Sequence, residues 1–317
     1  MVRFFLRRLT FAVLLVVAVS SGALLLTRLA PGDVTANLGA FAPPEEVART
    51  RARFDLDRSA AAQWGGWALR AIRFDFGDSF LYNRPVGGLI HRAAGNTAVL
   101  ALAALSLATL LGIPLGIISG SRGGVAPLLI RGASLVCLSI PPLLTSLLLV
   151  FVASRTGWLP AGGMTSVDAV DAGWSSWILD VARHLPLPAI ALALPIAATF
   201  ERLQSQSMAE TIHQPFVVAA LARGVTWRRL VIGHAWRASL RSMCAIYGLA
   251  IGALLSGSFV VEYVTAWPGL GRLMYEALRA RDIYLVAGCA AAGSMFLAFG
   301  TLLSDAAVAL VDPRARE

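Results

Sequence analysis

Residues 97–118 read TAVLALAALSLATLLGIPLGII and carry no ionisable side chain. A bilayer core of roughly 30 Å is crossed by about 20 mostly apolar residues at about 1.5 Å each, so the stretch is long enough to span. Its apolar residues are continuous, where a helix on the surface of a soluble protein would alternate faces. Five more blocks of this kind accompany it, at 9–30, 133–153, 185–203, 243–264 and 284–311. The chain of 317 residues is 57% apolar and only 14% charged, with mean hydropathy +0.71. These features predict an all-α integral membrane protein with six transmembrane helices. The block 185–203 is the least regular, because Pro186, Pro188 and Pro195 interrupt it. Arg3, Arg7 and Arg8 precede the first block as in a secretory signal. An apolar core of about 20 residues exceeds the roughly 7–15 of such a signal, so a retained helix is expected.

All 27 basic residues are arginine. Without lysine there is no G-x-x-x-x-G-K-[ST] phosphate loop, no Schiff base and no catalytic lysine, so any ATP must be bound by another chain. The net charge of +9 fits the excess of basic residues on the cytoplasmic side of membrane proteins, and no nucleic-acid partner is expected. Cys137, Cys244 and Cys289 each fall in an apolar block and read as packing residues. His91, His184, His213 and His234 are scattered with no H-E-x-x-H, so no metal site is expected. Neither G-x-S-x-G nor a histidine pair lies in a span, which leaves no catalytic residue and argues against a membrane hydrolase.

With the amino terminus inside, segments 31–96, 154–184 and 265–283 lie outside, and 119–132, 204–242 and 312–317 inside. The inside segments hold Arg122, Arg131, Arg223, Arg228, Arg229, Arg237, Arg241, Arg314 and Arg316 against Glu210, Asp312 and Glu317. Segment 31–96 has eight arginines and seven acids, but segments above about 60 residues follow the charge rule poorly. Within it Pro43, Pro44, Glu45 and Glu46 mark a helix start. Its Trp64, Trp67, Phe74, Phe76, Phe80 and Tyr82 either cover the mouth of the bundle, sit at the interface or form a packed cap without ligand contact. Glycines four apart, Gly112 with Gly116 and Gly248 with Gly252, predict close helix approach. The expected organisation is an amino-terminal helix (1–30), an external segment (31–92), a membrane core (93–311) containing a cytoplasmic loop (204–242), and a cytoplasmic tail (312–317).

That loop contains HQPFVVAALARGVTWRRLVIGHAWRASL at 213–240, with four arginines between apolar runs. Pro215 suits a first helical turn, followed by Phe216, Val217, Ala220 and Leu221 at helical spacing. Gly224 can end this helix in a left-handed conformation, and Thr226 can start a second whose apolar face includes Leu230, Val231 and His234. Two readings are open from the residues alone. An element with short side chains at its turn (Ala219, Ala220, Ala222, Gly224) enters a groove on a partner, or an amphipathic hairpin with Arg228, Arg229 and Trp236 lies on anionic lipid.

The loop resembles the E-A-A-x-x-x-G coupling loop of permease subunits of binding-protein-dependent ABC importers, in the dipeptide, oligopeptide and nickel branch. There the pattern runs Y-V-x-T-A-R-A-K-G-L, with a histidine ten residues after the glycine. Phe216, Val217, Ala220, Ala222, Arg223, Gly224 and His234 match it or nearly so. Val218 replaces the glutamate of the general motif, Leu221 an arginine, and Ser242 a proline. The resemblance covers nearly the whole chain, through LAPGD at 29–33, DFGDS at 75–79, RPV at 84–86, GIPLG at 112–116 and SIP at 139–141. It continues through WLPAGG at 158–163, Glu262, WPGLG at 267–271, Arg281 with Asp282, and DPR at 312–314.

The resemblance implies a type I ABC importer in the cytoplasmic (inner) membrane of a prokaryote. Two six-helix permeases, of which this is one and a sister permease the other, form the pathway. Two cytoplasmic ATPases bind ATP and Mg, and an external solute-binding protein delivers the cargo. Ala219, Ala220, Ala222, Arg223, Gly224, Thr226, Arg228, Arg229 and His234 are then expected to face an ATPase. Peptide is the default cargo, with nickel chelates or another small solute as alternatives. A secondary transporter driven by an ion gradient is the reading from a different class, but such proteins often carry buried acids at mid-membrane and these central spans are almost free of charge. Glu262 and Tyr263 are gate candidates, with Trp267, Pro268 and Gly269 forming a rigid turn toward the binding protein; alternatively Glu262 bridges to Arg272 or Arg279. Asp305 is a further pathway candidate or else an anchoring residue. Arg131, Glu201 and Arg202 lie near the inner interface, where they can snorkel, so no further role is assigned to them.

Overall fold

In the computed structural model the described residues are 2–30, 42–167 and 173–311, with side chains described for all of these except 2–5, 240–242, 244, 245 and 307–311. The expectations placed on 31–33, on the tail 312–317, and on the side chains of Arg241, Ser242 and Cys244 lie outside the described residues. The elements run α1 (Val2–Leu29), α2 (Pro44–Arg53), α3 (Ala60–Ala71), β1 (Asp78–Ser79), β2 (Arg84–Pro85), α4 (Val86–Ser121), α5 (Val125–Ser139), α6 (Pro142–Thr156) and α7 (Trp174–His184). They continue as α8 (Pro186–Ile212), α9 (Pro215–Ala222), α10 (Trp227–Leu230), a π-helical turn (Val231–Ala235), α11 (Trp236–Val264), α12 (Leu270–Ala280) and α13 (Ile283–Val311).

Stretches of α1, α4, α8, α11 and α13 are long and apolar enough to cross a membrane. The block 133–153, expected as one straight span, is instead two helices, α5 and α6, bent by 98°. Two consecutive prolines cause the break. Pro141 forces Ile140 into extended backbone (φ −94, ψ 115), and Pro142 opens α6 without needing an N–H partner. Counting the pair as one span gives six.

The described residues of 99–267 with 299–311 form one compact unit. Its centre is α8, which touches α5, α6, α7 and α11. Pro186 and Pro188 fall in the first turn of α8, where N–H groups have no intrahelical acceptor, and the helix runs unbroken past Pro195 to Ile212, beyond the expected end at 203. Leu192, Phe200, Gln204 and Met208 are fully buried on it. Its modest hydropathy thus belongs to a helix surrounded by protein. A glycine stripe on α4 meets α8 backbone to backbone. A Cβ at Gly112 would lie 2.5 Å from the Ala197 carbonyl oxygen, at Gly116 2.7 Å from that of Glu201, and at Gly120 2.3 Å from that of Ser205. Gly120 extends the pair read from the sequence. The approach of α11 and α13 is similarly tight, since a Cβ at Gly248 would stand 3.0 Å from Ser304 Cβ and one at Gly300 2.3 Å from Ile251 Cγ2.

The described residues of 2–98 with 268–298 form the other unit. Of the segment expected as a separate insertion at 31–92, the described part, 42–92, groups here with α1, α12 and the start of α13, and α4 already begins inside it at Val86. Leu24, Phe54, Leu56, Trp67, Val86 and Leu285 make its core. Trp64 Nε1 donates to Ser21 Oγ at 2.9 Å, and Arg28 Nη2 donates to the Leu56 carbonyl at 2.6 Å. Of the aromatic residues, Trp67 is buried whereas Phe74 is 76% exposed. Two of the matching sequence blocks meet at Asp282. Its Oδ2 accepts from Ser79 Oγ (2.6 Å) and Leu81 N–H (3.1 Å), while Oδ1 accepts from Leu285 N–H (3.1 Å) and so caps α13. Arg281 before it is left-handed (φ +55), and the Arg281 and Asp282 N–H groups close the end of α12 on Leu278 and Ala277.

The glycine stripe predicts an asymmetry. Gly116→Ala should destabilise the protein by about 1–3 kcal/mol through overpacking. Gly132→Ala, where the new methyl group meets nothing within 4 Å, should be neutral or slightly stabilising. Thermal unfolding of the two variants in detergent checks this.

Candidate functional site

The loop between α8 and α11 is built on a small core of its own. Met208, Val217, Ala220, Leu230, Val231 and Ala235 are buried together, with Ile117, Ile212, Val225, Trp227 and Trp236 packed around them. Pro215 occupies the first turn of α9. The helix ends in a Schellman turn. The Gly224 N–H bonds the Leu221 carbonyl (2.9 Å) and the Val225 N–H bonds the Ala220 carbonyl (3.2 Å), with Gly224 at φ +80. Thr226 then takes the N-cap position of α10 in extended conformation, but its side chain makes no capping bond. The result is helix, tight turn, helix.

Two details differ from the sequence reading. The apolar stripe of α9 splits: Val217 and Ala220 face the small core, while Phe216 (47%), Val218 (55%) and Leu221 (41%) are exposed. His234 does not join the apolar face with Leu230 and Val231. It is exposed and Ala235 is buried in its place, because the π-helical turn at Val231–Ala235 inserts a residue and shifts the register. Among the nine residues expected to meet a partner, Ala220 is buried, and Ala219, Ala222, Arg223, Gly224, Thr226, Arg228, Arg229 and His234 are exposed. A Cβ at Gly224 would meet nothing within 4 Å. The loop therefore presents small and cationic side chains, flanked by three exposed apolar ones, from a turn with a fixed backbone.

The other candidates are distributed differently. Glu262 is fully buried near the end of α11, Tyr263 is 46% exposed, and Trp267 is fully buried in the core of its unit. Trp267 thus packs into that core where α11 ends. Close by, the Gly163 N–H donates to the Thr265 carbonyl at 2.8 Å, which ties the WLPAGG block to this end of α11. In the second unit Pro268 is exposed, and its carbonyl accepts from Asn96 Nδ2 at 2.8 Å. Gly269 is buried at the N-cap of α12, and Thr97 Oγ1 accepts the Leu270 N–H at 2.8 Å. Asp305 is half-buried. Among the described residues no group of three His, Cys, Asp or Glu side chains could hold a metal ion.

Residues 112–317 match the family of the binding-protein-dependent transport system inner membrane component. The chain belongs to this family. The inner-membrane component is also similar along its length to proteins named as peptide permeases. A Brucella ovis protein so named is 33% identical over 99% of both chains, and a Brucella abortus protein named as a peptide transport system permease is 32% identical over 98% of both. The oligopeptide transport system permease protein AppB of Bacillus subtilis is 28% identical over 99% of both. The transporter subunit is accordingly a multi-pass membrane protein.

A further side chain of the permease departs from its expected place. Glu201 does not snorkel: it is 1% exposed on α8, where Ser119 Oγ donates to its Oε1. Arg131 Nη2 donates to the Ser119 carbonyl at 2.7 Å. Its place near the end of an apolar block hid this, since burial on α8 follows from the glycine stripe of α4 and not from position along the span.

In the second unit, the Tyr82 hydroxyl donates to Glu276 Oε2, and Arg272 Nε donates to Oε1 at 3.0 Å. Burial first, and then the Glu276 hydrogen bond and charge, push the Tyr82 phenol up from 10.0 to about 12. A raised folded value means that this contact contributes fully below pH 10 and is lost as pH rises through about 12. Ultraviolet titration of tyrosinate should show a late phase near pH 12 that disappears in Tyr82→Phe.

Proposed function

We propose that this chain is the permease subunit of an ABC importer for di- and oligopeptides. With a sister permease it forms the pathway across the cytoplasmic membrane, and separate ATPase subunits binding ATP and Mg drive it. The names of its relatives support peptide as the cargo class. Residues 31–92 and the turn at Pro268 and Gly269 lie outside and meet a solute-binding protein. Both termini and the loop 204–242 lie inside.

The observation that carries this reading is the α9–Gly224–α10 turn. A surface that receives force must be rigid in itself and exposed toward its partner. The Schellman turn and the small core around Val217 and Leu230 supply the first property, and Phe216, Val218, Leu221, Arg223 and Arg228 supply the second. Closure of the ATPases on ATP would then shift the permease pair between two arrangements. Glu262 and Tyr263 are the gate candidates at the far end of α11, and Asp305 on α13 is a candidate for the pathway or an anchor.

Gly224→Arg tests this. A non-glycine residue in left-handed conformation costs roughly 1–2 kcal/mol, which the fold can absorb, while the long side chain fills the exposed turn. The variant should reach the membrane in normal amount yet fail to co-purify with the ATPase subunits, and binding-protein-stimulated ATP hydrolysis should fall to the basal rate. Retention of the ATPase by the folded variant would place coupling elsewhere.

A further inference from the structure

The helix α3 is out of keeping with a place in water. From Ala60 to Leu69 it carries no ionisable side chain, whereas α2 before it carries Glu45, Glu46, Arg49, Arg51 and Arg53 and buries no residue. Gln63 and Trp67 are buried on one side of α3, and Leu69 and Ile72, 70% and 76% exposed, lie along the other. A helix that is apolar on both sides belongs in a core or in lipid. The turn that ends it has the same character. Phe74 stands at φ +60, where glycine is the usual residue, and its ring is left exposed.

Two contacts fix the level of α3. In α1, Arg8 and Arg28 bracket an uncharged stretch about 30 Å long, the thickness of a bilayer core. Trp64 Nε1 donates to Ser21 Oγ at 2.9 Å, and Ser21 lies about 10 Å inside Arg28 along the helix axis. Leu24, also inside Arg28, is fully buried in one cluster with Phe54, Leu56 and Trp67. Toward the other end of α3 the Arg70 guanidinium lies 5.3 Å over the ring of Tyr284, in the first turn of α13. Ser21 and Tyr284 both fall within stretches, Leu6–Leu29 and Ile283–Ala306, that are long and apolar enough to cross a membrane.

We propose that α3 is seated in lipid at the membrane face where α1 ends and α13 begins, with Leu69 and Ile72 among the acyl chains and Phe74 at their polar boundary. The inference goes beyond the transport reading and needs only that α1 and α13 cross the membrane. A soluble partner approaches from beyond Arg28, so it does not reach a helix held at the level of Ser21. Lipid does reach it: tryptophan is favoured at the membrane–water interface, and interfacial helices sink their apolar faces roughly 5–10 Å into the acyl boundary. The charged α2 stays in water while α3 is held by lipid, which sets the height of the segment that carries both.

Nitroxide labels test this, attached singly to Leu69→Cys, Ile72→Cys or Arg49→Cys variants in which the native cysteines are replaced. The full chain is reconstituted with the subunits that co-purify with it, in vesicles of phosphatidylethanolamine and phosphatidylglycerol. Oxygen concentrates among acyl chains and a nickel chelate stays in water, so power-saturation EPR with each reagent reads what surrounds a label. The Arg49→Cys label on α2 is the reference for water. The Leu69→Cys and Ile72→Cys labels should collide with oxygen and lose nearly all of the chelate collision seen at Arg49→Cys. Both side chains are largely exposed, so the labels displace no packed neighbour. Chelate collision equal to that of the reference puts α3 in water and overturns the proposal. Collision with neither reagent puts protein over this face, the sister permease included, and also overturns it. Either failure leaves the proposed transport function standing.

Discussion

The backbone contact between α4 and α8 is the constraint on which the first unit depends. In lipid, helices gain little from burying apolar surface against one another, because the tails are as apolar as leucine; they associate where small residues let backbones approach. Gly112, Gly116 and Gly120 give α4 such a face, and the carbonyls of Ala197, Glu201 and Ser205 sit where their side chains would be. Once α8 is held there, its remaining faces are available to α5, α6 and α11. The same contact brings Ser119 to Glu201 and so decides that a carboxylate near the end of a span is buried.

From the end of α8 at Ile212 the chain enters the loop, whose own small core includes Met208 from the last turns of α8 and Ile117 and Ile212 at its edge. The loop is therefore no flexible connection. Buried Val217, Ala220 and Leu230 fix it from within, and a left-handed Gly224 fixes its turn. What it shows outward are the residues that the packing does not use, which is why its composition looks out of keeping with the apolar runs on either side.

Much of this was legible in the sequence because the signals were local. Apolar length gave the spans, Pro215 and Gly224 gave the limits of α9, and glycines four apart gave the tight helix pairs. The bend at Pro141 and Pro142 was hidden because an apolar block looks the same whether it is straight or broken. Glu201 was misplaced because its burial comes from a neighbouring helix, whose Ser119 is 82 positions away in the chain. The meeting of Ser79 with Asp282, 203 positions apart, was marked only as two separate matching blocks. His234 was assigned to the wrong face because an α-helical period was carried through a π-helical turn.

That turn has a mechanical meaning. Val231–Ala235 joins α10 to α11 without a loop, so the second limb of the hairpin and a membrane-crossing helix are one shaft. A π-helical turn stores one surplus residue, and each residue of an α-helix advances the helix by about 100°. Moving that surplus along the shaft would turn only the stretch it passes through, and would leave the helix on either side in its old register. The shaft can thus change which side chains face the small core of the loop without lengthening or coming apart.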